Sequence, residues 1–476
     1  MFQKNTKVVC TLGPSSDSVN EILALIKAGM NVARLNFSHG TYESHLKLIQ
    51  NIHKAENLTK TRIGILQDLQ GPKIRIGEMP EDGIQIKKDE VFTITTKDIK
   101  GEKTKNKIII PLTYKNVCRD VKKNATVLIN DGLLEAIVVN KRKNELILKA
   151  KTSGIIKHGN GINFPNSSIS AKTITEKDLK DLEFGLKNNV DFVALSFVKS
   201  KKDIEDLRKI IEHKGKNTPI IAKIERHEAV AHLKEIIKSA DGVMVARGDL
   251  GTDIPPEHVP LVQKRIINIA NEYGKPVITA TQVLQSMVKN PVPTRAEISD
   301  AANAVFDHTD AIMLSNETAV GKYPTRASMV LTKVAHSVEE EMQKHKELKE
   351  YVFPNTKKMR KTLMTCEKAC ELAIKIKASA IFAYTDGGFT ARQVARYRIY
   401  TPIITLTPFE KTARELTLVW GINKVLVKKF PKETNKKLQN IVNFIVRERL
   451  AKKGQKIVIV CNASNTNTIS TYKLGE

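Results

Sequence analysis

A chain of 476 residues is too long for one ordinary hydrophobic core, so about two to four domains are expected. With 41% apolar residues and no unbroken apolar run long enough for a membrane helix, the composition is that of a soluble protein with no membrane partner. The net charge is +27, yet the lysines are scattered among Glu and Asp; one Trp, few aromatics and no RNA-binding or zinc-finger signature argue against nucleic acid.

The excess charge is uneven. Residues 357–476 hold 24 Lys+Arg against 8 Asp+Glu, so +16 of the +27 lies there. Such a surface attracts small polyanions. The five cysteines (Cys10, Cys118, Cys366, Cys370 and Cys461) are widely spaced, and no His or second Cys pair completes a zinc site. They read as thiols in a reducing cytoplasm. The first residues show no apolar signal segment.

In chain order, eight short β-branched runs recur, most of them followed by a helical pattern. They are 7–12 (KVVCTL), 32–37 (VARLNF), 63–68 (IGILQD), 192–197 (FVALSF), 220–224 (IIAKI), 242–246 (GVMVA), 277–281 (VITAT) and 311–315 (AIMLS). Amphipathic segments at 18–28, 176–187 and 202–213 lie between them. Eight alternations predict an α/β fold, a (β/α)₈ TIM barrel, over 1–70 and 171–345. The stretch 71–170 breaks the rhythm. Its short runs at 91–95, 107–110, 126–129 and 146–149, separated by Gly, Asn and Asp turns, predict a small all-β lid inserted in the third βα loop. The last barrel helix is expected over 328–346 and a charged linker over 346–360. A C-terminal α/β domain over 357–476 follows, with strands at 380–385, 402–406, 424–427 and 456–461.

Chemistry in such a barrel sits at the C-terminal ends of the strands. Those ends carry Arg34, Asn36 and Ser38; Asp68; Lys223 and Glu225; Arg247, Gly248 and Asp249; Thr281 and Gln282; and Ser315, Asn316 and Glu317. Buried charge needs a partner, and so many polar ends at one mouth point to a ligand. Glu225 and Asp249 are hard oxygen ligands suited to Mg²⁺ or Mn²⁺. Arg34 and Lys223 suit a transferring phosphoryl group. The Gly248 and Asp249 N–H groups can bind a carboxylate, and Thr281 and Ser315 offer hydroxyls for a proton relay. There is no Ser/His/Asp constellation and no GxxxxGK loop. These residues alone also accommodate a metal-dependent lyase acting on a 2-oxo acid, or a basic binding protein without activity.

The segments 31–40 (NVARLNFSHG), 66–75 (LQDLQGPKIR), 221–230 (IAKIERHEAV), 243–251 (VMVARGDLG), 279–287 (TATQVLQSM), 293–303 (PTRAEISDAAN) and 312–319 (IMLSNETA) resemble, in order, the signature segments of the pyruvate kinase family. The resemblance implies Mg-dependent phosphoryl transfer from phosphoenolpyruvate to ADP, giving pyruvate and ATP in glycolysis, by a cytoplasmic homotetramer. It implies that Lys223 and Arg34 contact the transferring group and that Glu225 and Asp249 hold the divalent ion. It also implies that Gly248 and Asp249 main chain bind the substrate carboxylate. Thr281, supported by Ser315 and Glu317, would lie where the enolate is protonated. Asn36, Ser38, Asp68 and the Leu69 carbonyl match the family's monovalent-cation ligands, and Asp131 matches an acidic lid residue.

Departures from the family pattern carry further expectations. Lys73 stands where potassium-dependent members usually have Glu, and Ile76 accompanies it, so the chain resembles the potassium-independent bacterial group. The Lys73 ammonium would replace K⁺. Asn160 stands at a lid position that is often Lys, with Lys157 nearby. The expected effector loop carries Thr385, Gly387, Gly388 and Thr390, a phosphate-nest pattern, but Phe389 occupies a position often basic, which argues against fructose 1,6-bisphosphate.

Overall fold

The computed structural model describes residues 4–165, 167–344, 357–431, 433–463 and 466–474. Eight parallel strands close into a barrel: Lys7–Thr11, Met30–Asn36, Gly64–Asp68, Phe192–Leu195, Ile220–Ile224, Gly242–Ala246, Val277–Ala280 and Ala311–Leu314. They are nearly continuous apolar runs because both faces are covered. One face fills the barrel with Val9, Val32, Leu66, Ile221, Met244 and Ile278 among others. The other packs on the surrounding helices through residues such as Ile65, Val193, Ala222, Val243 and Leu314. Helices begin where the sequence places a capping box: Ser18 with Glu21, Thr175 with Asp178 and Thr294 with Glu297 each satisfy the first-turn amides reciprocally. The expected strand limits shift by a residue or two, the usual uncertainty at element ends.

The segment between the third barrel strand and the helix Glu176–Lys187 forms a seven-stranded sheet and a two-stranded one around their own core, which includes Phe92, Ile110, Val127, Val138, Leu148 and Phe164. Its longest strand, Leu134–Arg142, is absent from the sequence-based reading. That strand keeps inward alternation only as far as Val138 and then runs into exposed charge, which hides its period. The lid is tied to the barrel rim: Lys199 donates to the Ile169 and Ala171 carbonyls, Arg226 to the Ser167 carbonyl, and Asn163 to Thr252.

The C-terminal part is a five-stranded sheet with helices on both faces, over cores that include Cys366, Cys370 and Val394 on one side and Phe382, Ile441 and Ile459 on the other. Its last strand, Thr466–Lys473, pairs antiparallel at the edge and is too polar to be read from sequence. The expected linker over 346–360 lies mainly within residues 345–356, outside the described residues. Its final four positions begin the helix Lys357–Lys375 instead. No helix among the described residues is long and apolar enough to cross a membrane.

This domain seats on the floor of the barrel. Leu418 enters the barrel's interior core. Arg414 pairs with Asp191 (2.9 Å) and Glu56 (2.8 Å), and Arg398 pairs with Asp310 (2.9 Å). Lys7, buried on the first strand, donates to the Ile422 carbonyl at 2.8 Å and to Asn423 Oδ1 at 2.7 Å. Burial, with repulsion from Lys4, pulls the Lys7 ammonium down from its ordinary value near 10.5 to about 7, despite Glu339 and Asp310. The unfolded chain therefore binds the proton that the folded chain loses between pH 7 and 10.5, and stability rises with pH through that window. Denaturant midpoints are expected to rise from pH 7 to 9, and Lys7→Met should flatten the rise relative to wild type. Equal slopes for the two proteins would remove Lys7 as the cause.

Candidate active site

The mouth of the barrel opens into a cavity of about 870 Å³. Lys223 stands at its centre. Alternation along the fifth strand turns Ile220, Ala222 and Ile224 into the outer core and Lys223 toward the barrel axis. Its ammonium lies 2.8 Å from Glu225 Oε1 and 3.3 Å from Asp68 Oδ1, and donates to Ser196 Oγ at 2.7 Å. Burial works against that charge, but Asp68 and Glu225 outweigh it and hold the lysine above its ordinary range. Asp68 is likewise buried, which alone would raise it, yet Lys223 and Arg34 hold it below the usual carboxylate range. Arg34 Nε reaches Asp68 Oδ2 at 2.7 Å, and its Nη1 donates to Thr11 Oγ1 at 3.0 Å.

Glu225 is different. Burial raises it, Lys223 pulls it back, and the neighbouring Asp249 carboxylate raises it further. Its Oε2 accepts from the Phe197 N–H at 2.7 Å. Its Oε1 is ion-paired with Lys223 but has no well-aligned hydrogen-bond donor, although fully buried. Two repelling hard carboxylates, one with an orphaned oxygen beside a cavity, fit a divalent cation. Among the described residues, His227, Glu228 and Asp253 also lie close enough together to suggest a metal. That group does not line the mouth cavity, and its His227 Nδ1 already lies 2.7 Å from Asp253 Oδ2, with Arg226 3.2 Å from Glu228.

The seventh and eighth strands bring hydroxyls to the same mouth. Thr281 has φ of 66° and Gln282 of 53°, backbone that a β-branched residue rarely adopts. Arg247 holds this turn: it donates to the Thr281 carbonyl (2.8 Å) and the Gln282 carbonyl (3.0 Å), and grips Asp300 with both contacts at 2.7 Å. Ser315 lines the cavity, and its Oγ is buried with no hydrogen-bond partner among the described residues.

The geometry adds contacts to several of the expected site residues. The Gly248 N–H, expected to bind a substrate carboxylate, donates to Thr281 Oγ1 at 2.8 Å. Glu317, expected among the catalytic groups, spends its two oxygens on the Leu284 (3.0 Å) and Ser315 (2.8 Å) N–H groups and acts as a clamp between two loops. Asp131 is exposed on a lid turn with φ of 56° and does not line the cavity. Asn160 bridges lid turns, accepting from the Lys157 N–H and donating to Asn130, while Lys157 is exposed. Sequence reasoning missed Ser196 and Thr11. Ser196 Oγ accepts from Lys223 and donates its own O–H to the Leu69 carbonyl, both at 2.7 Å. Its signal was a single hydroxyl closing the run FVALS.

The comparisons with known proteins bear on this geometry. Residues 3–328 match the family described as "Pyruvate kinase, barrel domain", and residues 364–472 match "Pyruvate kinase, alpha/beta domain". The chain belongs to the pyruvate kinase family. It is 41% identical to the pyruvate kinase of Staphylococcus epidermidis over 99% of this chain and 81% of that protein. It is also 41% identical to that of Geobacillus stearothermophilus, over 99% of this chain and 79% of that protein. A crystal structure of a pyruvate kinase from Cryptosporidium parvum superposes with a TM-score of 0.90 at 34% identity, covering 99% of this chain and 96% of that one. Pyruvate kinases are phosphotransferases that depend on a divalent metal, and the mouth described above offers both cations and carboxylates.

Of the expected monovalent-cation residues, Asn36 and Asp68 stand opposite each other on neighbouring strands. Asn36 and Ser38 line the mouth cavity, and the Asn36 Oδ1 accepts the Ser38 N–H at 3.2 Å. Asp68 lies on the neighbouring strand, and the Leu69 carbonyl that follows it already accepts Ser196. Lys73 lines the same cavity with its ammonium 3.8 Å from Asp249 Oδ1. In the C-terminal domain Thr385 and Thr390 are both buried, and Gly388 takes φ of 77° as the loop turns into the helix Phe389–Ala395. The loop's Gly387 carbonyl accepts Arg392, a cation one turn beyond Phe389 that the sequence reading passed over.

Proposed function

We propose that this mouth carries phosphoryl transfer from phosphoenolpyruvate to ADP and the protonation of the resulting enolate. The observation that carries the reading is Lys223: a buried ammonium between two carboxylates, facing a cavity large enough for both substrates. Glu225 and Asp249 would hold Mg²⁺ or Mn²⁺, which supplies charge neutralisation on the phosphoryl oxygens. Lys223 and Arg34 add fixed positive charge at the transferring group, preorganised by Asp68, Thr11 and Ser196, so little reorganisation is needed as charge moves. The in-line attack then depends mainly on positioning, and closure of the lid would keep water from taking the phosphoryl group. Thr281 and Ser315 would supply the hydroxyls through which a proton reaches the enolate carbon. For the Gly248 amide to bind a carboxylate, the substrate must displace Thr281 Oγ1, which frees an acceptor position on a hydroxyl that itself donates to the Ala280 carbonyl at 2.6 Å. The wider setting, a cytoplasmic homotetramer in glycolysis, is part of the same proposal. A coupled assay with phosphoenolpyruvate, ADP and Mg²⁺ tests it; pyruvate and inorganic phosphate formed without ADP would mean transfer to water, and no turnover of phosphoenolpyruvate alongside metal-dependent cleavage of a 2-oxo acid would favour the lyase reading instead.

We further propose that K⁺ is dispensable. The Lys73 ammonium on the rim of the site supplies a positive charge beside Asp249. In buffer free of K⁺ and NH₄⁺, with ionic strength held by a tetramethylammonium salt, turnover should be near maximal. A rise above about tenfold on adding K⁺, a gap of about 1.4 kcal/mol, would refute the replacement. Lys73→Glu is expected to create K⁺ dependence.

A further inference from the structure

The two carboxylates assigned to the divalent ion are held very differently. Glu225 is 1% exposed, with one oxygen on the Phe197 N–H and the other beside Lys223. Asp249 has no such grip. Its side chain is 32% exposed, and Lys73, with which it pairs, stands at 3.8 Å, beyond hydrogen-bond reach. Where its oxygens sit is therefore set by its backbone, on the short helix Arg247–Leu250.

That backbone is fastened to the lid. Thr252, itself buried, donates its Oγ1–H to the Asp249 carbonyl at 2.7 Å. A hydroxyl bonded to a carbonyl three residues back is common and by itself says nothing. The same oxygen, however, accepts the Asn163 side-chain N–H at 2.9 Å. Asn163 pairs with Leu128 inside the lid's own sheet, so it moves with the lid and not with the barrel. One oxygen thus accepts from the lid and donates to Asp249, and in such a chain each bond polarises the next. Arg226, the residue after Glu225, makes a second fastening by donating to the Ser167 carbonyl at 2.9 Å on the lid's return to the barrel. Lys73, Asn163, Arg226 and Asp249 all line one narrow slot between lid and rim.

We propose, resting on the reading of Glu225 and Asp249 as the ion's ligands, that Thr252 is a positioning residue: it sets the Asp249 carboxylate for the divalent ion and takes its own place from Asn163 on the lid. An ion shared by two carboxylates needs both of them at fixed places. With the lid seated, Asn163 and Thr252 hold Asp249 there in advance. With the lid displaced, Thr252 loses its donor and the Asp249 turn loses that restraint. The coupling is a free energy and acts in both directions: a bound ion favours the seated lid by the same factor by which the seated lid favours the ion. The lid that keeps water from the phosphoryl group is thereby held most firmly when the ion is in place.

The test is titration of the full chain with Mn²⁺ alone, without substrate, the free ion being read by electron paramagnetic resonance. Thr252→Val keeps the shape of the side chain and removes the hydroxyl; Mn²⁺ should bind about three- to tenfold more weakly, the range that one hydrogen bond spans. Thr252→Ser, which keeps the hydroxyl, should restore wild-type affinity. Asn163→Ala, made on the lid side only, should weaken Mn²⁺ by the same factor as Thr252→Val, and the double variant should lose no more than either single one. Amide hydrogen exchange in the lid strands 126–129 and 162–163 should slow when Mn²⁺ saturates the wild type, and slow less in Thr252→Val. Equal Mn²⁺ affinity in wild type, Thr252→Val and Asn163→Ala would overturn the proposal. So would fully additive losses in the double variant, because the two residues would then act separately, or a Thr252→Ser variant as weak as Thr252→Val. Mn²⁺ binding untouched by Glu225→Gln would instead overturn the assignment of the ion's ligands, and this proposal with it.

Discussion

Lys223→Met is expected to lower kcat by at least about 10³-fold, equivalent to about 4 kcal/mol of transition-state stabilisation. The loss should fall on kcat more than on KM, because the ammonium is aimed at charge that develops during transfer. The change also leaves Asp68 with only Arg34, and Glu225 with no cation at 2.8 Å. Removing one partner of a buried pair costs about 3–5 kcal/mol, so the variant should be less stable without divalent metal. Mg²⁺ should restore much of that stability and little of the rate. Circular dichroism and a Mg²⁺ titration establish the folded state, and rapid kinetics establish the rate. Near wild-type turnover in a folded variant would remove Lys223 from the centre of the chemistry.

The second large effect is expected far from the mouth. Arg414→Met leaves Asp191 and Glu56 buried beneath the C-terminal domain without their cation. The expected loss is about 3–5 kcal/mol at neutral pH. Burial already holds Asp191 above its ordinary value even with Arg414 present. A carboxyl raised in the folded state binds its proton there before the unfolded chain does, so its contribution falls as pH rises. The variant's deficit should therefore shrink as pH drops from 7 toward 5. Trp420, the single tryptophan, reports this junction directly: its N–H donates to Asp310 at 3.1 Å and Arg398 lies over its ring. The Asp310 contact is made by the Trp420 backbone N–H, and the ring reports the junction through Arg398 stacked over it, so its fluorescence during denaturant unfolding should show an early transition in Arg414→Met that is absent from wild type. A single transition at the wild-type midpoint would show that Leu418 and Lys7 hold the junction by themselves.

The barrel was legible because both of its faces are buried. Eight nearly unbroken apolar runs stand out from any helix period, and a lone Lys in IIAKI or Asp after IGILQ is conspicuous within them. What could not be read is how each polar group spends its bonding capacity. Glu317 and Ser315 both looked like site chemistry; only their geometry separates a carboxylate used up on two amides from a hydroxyl with no partner. Gly248 was read for what a free N–H could do, and Thr281 has taken it. The edge strand Thr466–Lys473 and the second half of Leu134–Arg142 lack alternation because solvent, not a core, faces them. The floor contacts join residues hundreds of positions apart, such as Arg414 with Asp191, and no local pattern marks them.

The central claim is that this mouth moves a phosphoryl group between its two substrates rather than releasing it to water. Phosphorus-31 NMR of the purified protein with phosphoenolpyruvate, ADP and Mg²⁺ tests it most directly. The predicted result is a phosphoenolpyruvate signal lost in step with the appearance of the ATP β- and γ-phosphorus signals, with almost no inorganic phosphate and no reaction in Lys223→Met. Loss of phosphoenolpyruvate to inorganic phosphate without ATP, or no change at all in the folded wild-type protein, would contradict it.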